Sequence, residues 1–206
     1  TTNVSGTVST NGNDITQTNV NVGQNGTDTT ATGTVNNADT LTAANVTTNA
    51  NGTLANTGTV IATTAIDNNG TIKNAADAVI KGSAGGAATT INNSGSITND
   101  AVGTGTAAGN IIAAITNDGN GASITNNGTI TGSITNTAGL NNITIDKTEQ
   151  QGDVDNGNGA NNVITNKANG RIGTTAANTL TNSGGVVNNI AGGTIVSNID
   201  NNSGTV

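Results

Sequence analysis

The chain has 206 residues, with Asn, Thr and Gly making up roughly half of them, and it contains no aromatic residue and no His, Cys, Met or Pro. Twelve acidic and five basic residues give a net charge of -7, which argues against nucleic-acid binding because that function needs a basic surface. No apolar run approaches the roughly 20 residues of a membrane-spanning helix. Without His or Cys, catalysis would depend on scattered carboxylates, so we predict neither an enzyme nor a membrane span.

Strand signals in residues 1–30 are short. Val20-Asn21-Val22 alternates apolar and polar side chains, whereas Asn11-Gly12 and Asn25-Gly26 interrupt the pattern. We predict irregular first coils or a docking end here. Since no signal peptide opens the chain, we expect a mature secreted form or an excerpt of a longer protein.

A seven-residue unit recurs from residue 31 onward. Its cleanest copy is ITNNGTI at residues 124–130, which reads aliphatic, x, Asn, x, Gly, x, aliphatic, and near-identical copies lie at 54–60, 66–72, 91–97 and 180–186. Asn tolerates left-handed backbone and Gly supplies positive φ, while β-branched residues favour strands. The unit therefore predicts a strand end, a turn and a strand start, repeated in coils that stack on each other.

The spacing between copies is irregular, which predicts more than one Asn-x-Gly corner per coil and loops on some coils. No linker divides the composition, so we predict a single β-solenoid domain over residues 1–206, with repeat coils over 31–206. Residues 146–155 hold the only concentrated run of charge and the only Glu, and we predict a charged loop near that position.

The copies at 124–130, 180–186 and 199–206 resemble the repeats of right-handed parallel β-helices, found in bacterial secreted adhesins, autotransporter passengers and related surface filaments. The resemblance implies an all-β fold, a single elongated parallel β-helix of right-handed sense with Asn/Gly corners. It also implies a secreted, extracellular protein of the cell surface with a structural role and no cofactor.

Two weaker site hypotheses remain open. Asp153 and Asp155 are the only close carboxylate pair and would share one face of a strand, where calcium could bind. Residues 157–163 are similar to the calcium-binding nonapeptide of secreted repeat toxins, with Asn161 in place of the ligand Asp. Thr-x-Thr pairs, such as Thr40 with Thr42 and Thr129 with Thr131, could stack into an ice-binding plane.

Both ends of the chain read Asn-x-Ser-Gly-Thr-Val. We see no polar or irregular cap at residues 199–206, and an open terminal coil recruits further strands. We therefore expect a homopolymer, a filament formed by head-to-tail stacking of uncapped ends. The alternatives are a stalk or passenger of a bacterial adhesin that contacts host or neighbouring-cell surfaces, and an ice- or calcium-binding solenoid. The predicted polymer interface comprises Asn3, Ser5, Gly6, Thr7 and Val8 at one end and Asn201, Ser203, Gly204, Thr205 and Val206 at the other.

Overall fold

The structure is a computed structural model that describes residues 1–83, 89–100, 107–137, 139–146 and 149–206. These residues form β-strands joined by turns, and none of them lies in a helix. In chain order the strands are β1 (Thr2–Val4), β2 (Thr7–Ser9), β3 (Ile15–Val22), β4 (Gly33–Asn37), β5 (Thr40–Thr48), β6 (Gly52–Asn56), β7 (Thr59–Asn68), β8 (Thr71–Asn74), β9 (Val79–Lys81), β10 (Thr89–Asn93), β11 (Ser96–Asn99), β12 (Asn110–Asn117), β13 (Ser123–Asn126), β14 (Thr129–Ile130), β15 (Ile134–Asn136), β16 (Asn142–Ile145), β17 (Glu149–Gln150), β18 (Val154–Asp155), β19 (Val163–Asn166), β20 (Arg171–Ile172), β21 (Thr179–Asn189), β22 (Thr194–Ile195) and β23 (Asn198–Thr205).

Every strand pairing among the described residues is parallel and joins one coil to the next. The paired strand segments stack on three faces, and the longer strands, such as β3 and β21, each run across two of them. The fold is a parallel β-solenoid of about nine turns. On the first face, partners lie from 18 residues apart, as for Thr2 and Val20, to 26 residues apart, as for Val20 and Val46. The all-β parallel solenoid predicted from the repeat is confirmed, and its right-handed sense stays a prediction of the resemblance.

Each face contributes one column of inward side chains in register. The first-face column is Val20, Val46, Ile66, Ile91, Ile115, Ile134, Val154, Leu180 and Ile199. The second-face column is Val8, Val35, Leu54, Ile72, Ile97, Ile124, Ile143, Ile164 and Val187. The third-face column is Ile15, Leu41, Val60, Ile80, Ile111, Ile130, Gln150, Ile172 and Ile195.

The three columns meet to form the core. Within the stack their aliphatic members are at most 3% exposed, because β-branched side chains of neighbouring coils pack directly on each other. Val8, Ile15 and Ile195, in the terminal coils, are only partly buried. The core is therefore continuous along the axis and loses its cover at the two end coils.

The repeat unit forms two different corners of the same coil. Residues 66–72 and 91–97 turn from the first face to the second, whereas residues 54–60 and 124–130 turn from the second face to the third. The prediction that one coil uses more than one Asn-x-Gly corner is confirmed.

The physical reason first given for Gly in the unit is wrong. Gly58, Gly70, Gly95, Gly128 and Gly184 do not have positive φ. In four of these five a Cβ would overlap backbone of the coil beneath; at Gly128 it would overlap the carbonyl oxygen of Gly109. Gly is thus needed where one coil lies directly on the next, rather than for a left-handed turn.

Within the run predicted as a charged loop, Glu149–Gln150 and Val154–Asp155 form β17 and β18, and Lys147 and Thr148 lie outside the described residues.

The described residues contain no helix long and apolar enough to cross a membrane. The division into one domain with irregular first coils stays a prediction.

Replacing Gly128 with Ala should destabilise the solenoid by about 1–3 kcal/mol, since the new methyl group forces two coils apart. Gly6 is the matched control because a Cβ there meets nothing within 4 Å. Urea unfolding followed by circular dichroism should show a lower midpoint for Gly128→Ala and little change for Gly6→Ala. Equal midpoints in the two variants would contradict the stacking argument.

Candidate functional site: the asparagine ladders and the end coils

A ladder of asparagine side chains runs along the corner between the first and second faces. Each member points inward two residues after a first-face aliphatic residue, so the register that aligns the core also aligns the amides. The members are Asn68, Asn93, Asn117, Asn136, Asn156, Asn182 and Asn201. Successive members are joined by Nδ2–H to Oδ1 hydrogen bonds of 2.6 to 3.1 Å.

A second ladder follows the corner between the second and third faces. It comprises Asn37, Asn56, Asn74, Asn99 and Asn126, with Nδ2 to Oδ1 distances of 2.7 to 2.9 Å. The hydroxyl of Thr10 donates to Asn37 Oδ1 at its first step. Ile145 interrupts this ladder, which resumes as Asn166 donating to Asn189.

All amides in both ladders point the same way. Nδ2 of one coil donates to Oδ1 of the next coil along the chain. In most members, including Asn37 and Asn93, the same Nδ2 also donates to corner carbonyls. Asn37 Nδ2, for example, lies 2.9 Å from the carbonyl oxygen of Thr59 and 3.1 Å from that of Asp39. The ladders therefore give buried corner carbonyls a second hydrogen-bond donor, since the Asp39 carbonyl oxygen, for example, also accepts from the Thr59 N–H at 2.8 Å, and they give the axis a direction.

The first ladder has a defect at its start, and the third-face column contains one polar side chain. Thr48 precedes Asn68 in register, and both Thr48 Oγ1 and Asn68 Oδ1 are buried without a hydrogen-bond partner. Gln150 occupies an aliphatic position of the third face; its Nε2 donates to the Gly132 carbonyl oxygen at 2.8 Å while its Oε1 has no partner. In this coil Ile145 occupies a polar position and Gln150 an apolar one, so the two kinds of side chain are exchanged.

Asn117→Ala should lower the free energy of unfolding by about 2–4 kcal/mol. It leaves Asn93 Nδ2 and Asn136 Oδ1 without their ladder partners in a site that is 0% exposed, and it opens a cavity. The control is Asn120→Ala, three residues on in an exposed turn. Urea titration of both variants checks the difference, and a loss at Asn117 no larger than at Asn120 would refute a structural role for the ladder.

The predicted interface residues lie on the two end coils. Asn3 is in β1 and Thr7 and Val8 are in β2, and Asn21 Nδ2 donates to Asn3 Oδ1 at 2.8 Å. At the other end, all eight residues of β23 are exposed, and Asn182 Nδ2 donates to Asn201 Oδ1 at 2.9 Å. The structure thus brings each group together on one coil and places the two groups at opposite ends of the stack.

Each end coil has one paired edge in the described residues. β1 pairs with β3 and β2 with β4, while β23 pairs with β21. Ile199 and Val206 are both 49% exposed, whereas Leu180, which pairs with Ile199, and Val187, which follows the Val186–Thr205 pair, are buried. These edges carry backbone N–H and C=O groups and apolar side chains that a further coil could cover.

Asp153 and Asp155 are each engaged by the neighbouring backbone. Asp153 Oδ1 accepts from the Thr179 N–H at 2.9 Å, and Asp155 Oδ1 accepts from the Gly157 N–H at 2.8 Å. The described part of the chain holds no group of three or more His, Cys, Asp or Glu residues that could bind a metal ion. The calcium hypothesis thus has two carboxylates, each of which already accepts a backbone hydrogen bond.

The Thr-x-Thr pairs named above do not form one plane. Thr40 and Thr42 lie on the third face with Thr129 and Thr131, but Ile61, Lys81 and Ile112 occupy positions between them. The second face instead carries a hydroxyl row that spacing along the sequence did not reveal, and its members are Thr7, Thr34, Thr53, Thr71, Ser96 and Ser123.

The two ion pairs among the described residues contribute little to the stability of the fold. Lys167 pairs with Asp146 at 3.3 Å and Arg171 with Glu149 at 3.2 Å, both at the surface, where ion pairs are weak. The Thr30 hydroxyl and then the Thr30 N–H donate to Asp28 Oδ1 and hold the pKa of that carboxyl below its usual range.

Comparison with protein families, curated proteins and solved structures found no match for this chain. The function proposed below therefore rests on the geometry of the ladders and of the end coils.

Proposed function

We propose that the chain is a structural subunit of an extracellular filament, in which the last coil of one copy stacks on the first coil of the next. The observation that carries the proposal is the exposure of β23 together with the half-exposed Ile199 and Val206. A coil that is aliphatic on its inner side and unpaired along its outer edge fits one more parallel strand layer.

The register supports a head-to-tail joint. Continuing the second-face column would place Val206 against Val8 of the next copy, and the third-face column would place Ile195 against Ile15. Aliphatic residues meet in both columns, whereas the first-face column would place Ile199 against Thr2.

Polarity supports the same arrangement. Strands within the solenoid pair in parallel, and only a head-to-tail joint continues parallel pairing across the boundary. The ladder adds a second constraint, because Asn201 receives a hydrogen bond on Oδ1 from the coil before it and its Nδ2 faces away from that coil. Such a joint is heterologous and does not close, so it generates a filament.

The outward loops favour a second candidate, the stalk or passenger region of a bacterial surface adhesin. Residues 23–32 and 157–162 extend corners that take two residues at 69–70 and 94–95. Such loops could contact host or neighbouring-cell surfaces, and in a longer polypeptide the next coil would come from the same chain. We assign neither candidate a catalytic role, a cofactor or a membrane span.

The experiment is electron microscopy and sedimentation of the purified chain over a range of concentrations. We expect unbranched polymers of uniform width, and Ile199→Asp should reduce polymer mass at least about tenfold, since it places a charge in the joint. Leu140→Asp is the matched control, because Leu140 is 51% exposed on a corner within the stack.

Circular dichroism should show both variants folded. Discrete rods at every concentration would refute the filament and favour the stalk. Equal loss of polymer in the two variants would show that the joint does not involve Ile199.

A further inference from the structure

Nine Asn-Gly dipeptides occur in the chain, and the fold places them in different environments. Asn is thermolabile, and an Asn before Gly is the most reactive case because glycine has no Cβ to hinder its own nitrogen. That nitrogen can attack the Asn side-chain Cγ, so that a new C–N bond forms, the N–H proton passes to the departing amide and ammonia leaves. Water then opens the resulting succinimide to aspartate or isoaspartate, without an oxidant or a reductant.

Two of the dipeptides lie in open turns and, unlike Asn11-Gly12, have a glycine nitrogen that donates to no described residue. Asn25, Gly26, Asn120 and Gly121 are exposed, and a Cβ at Gly26 or at Gly121 would meet nothing within 4 Å. Neither glycine nitrogen donates a hydrogen bond to a described residue, and neither Asn side chain is held by one. The reacting nitrogen and Cγ are therefore free to approach each other.

In two other dipeptides, hydrogen bonds hold both the Asn side-chain amide and the Gly nitrogen. Asn51 Nδ2 donates to the Thr30 carbonyl oxygen at 2.7 Å, and the Gly52 nitrogen donates to the Asn49 carbonyl oxygen at 2.7 Å. Asn156 is a ladder member whose Nδ2 donates to Asn182 Oδ1 at 2.9 Å, while the Gly157 nitrogen donates to Asp155 Oδ1 at 2.8 Å. Succinimide formation at these sites first requires those hydrogen bonds to break.

We propose that the folded protein modifies itself by deamidation at Asn25 and Asn120 and that the solenoid protects Asn51 and Asn156. The inference is independent of the proposed function. Both reactive turns lie on the corner between the first and second faces, next to Asp28 and Asp118. Conversion at both sites adds two carboxylates and changes the formal net charge from -7 to -9.

The reaction would change these two turns and leave both ladders intact. Asn25 and Asn120 take no part in either ladder, whereas loss of the Asn156 amide would remove the donor to Asn182. The negative charge would therefore accumulate on one corner of an unchanged rod, which weakens lateral association between like-charged surfaces.

The test is incubation of the native full chain at mildly alkaline pH in heavy-oxygen water, followed by tandem mass spectrometry of its peptides. We expect deamidation with heavy-oxygen incorporation at Asn25 and Asn120, at least about tenfold faster than at Asn51 and Asn156. In urea, where the fold is lost, the four sites should react at similar rates. Asn25→Gln should abolish the signal at residue 25 and leave residue 120 unchanged.

Equal native rates at Asn25 and Asn51 would overturn the proposal. So would an absence of product at Asn25 and Asn120 over a period in which the urea-unfolded chain reacts at all four sites.

Discussion

The solenoid depends on the axial hydrogen bond from one asparagine amide to the next. A chain without aromatic residues has little apolar area to bury, and its thin core of Ile, Val and Leu leaves corner carbonyls inside the molecule. Asparagines at two of the three corners compensate for both, since Nδ2 donates to the next amide and, in most members, to corner carbonyls, while Oδ1 accepts from the coil before. Asn93 and Asn117, with a bond of 2.6 Å between them, illustrate how closely the coils must lie.

This constraint explains the neighbouring residues of the repeat. The amide ladder requires coils in direct contact, and direct contact leaves no room for a Cβ at Gly95 or Gly128. The aliphatic residue two positions before the Asn must point inward with it, as Ile124 does before Asn126. Aliphatic, x, Asn, x, Gly is therefore a pattern of stacking contacts more than a pattern of turn conformations.

The fold could be predicted from the sequence because the aliphatic residues that favour strands locally are the same residues that form the core between coils. The unit at residues 124–130 predicts a strand end, a turn and a strand start, and β13 and β14 lie on either side of the corner there. The role of Gly128 could not be predicted, because its reason lies in the carbonyl oxygen of Gly109, which only the register brings close. The hydroxyl row through Thr53 and Thr71 could not be predicted either. The coils differ in length, so the members of the row are not evenly spaced along the sequence.

The candidate site was predictable only in part. The sequence similarity of residues 3–8 and 201–206 indicated the end coils, whereas the exposed aliphatic residues there, such as Ile199, are visible only in the structure. The defect at Ile145 and Gln150 follows from register as well: each residue is unremarkable in sequence, and each occupies a column of the opposite polarity.

The ladders can be tested most directly by NMR measurement of hydrogen exchange at asparagine side-chain amides. The account predicts that the Nδ2 protons of Asn93, Asn117 and Asn136 exchange only through opening of the coils, orders of magnitude more slowly than those of Asn69 and Asn120 at the surface. Exchange of the ladder amides as fast as that of the exposed ones would contradict it.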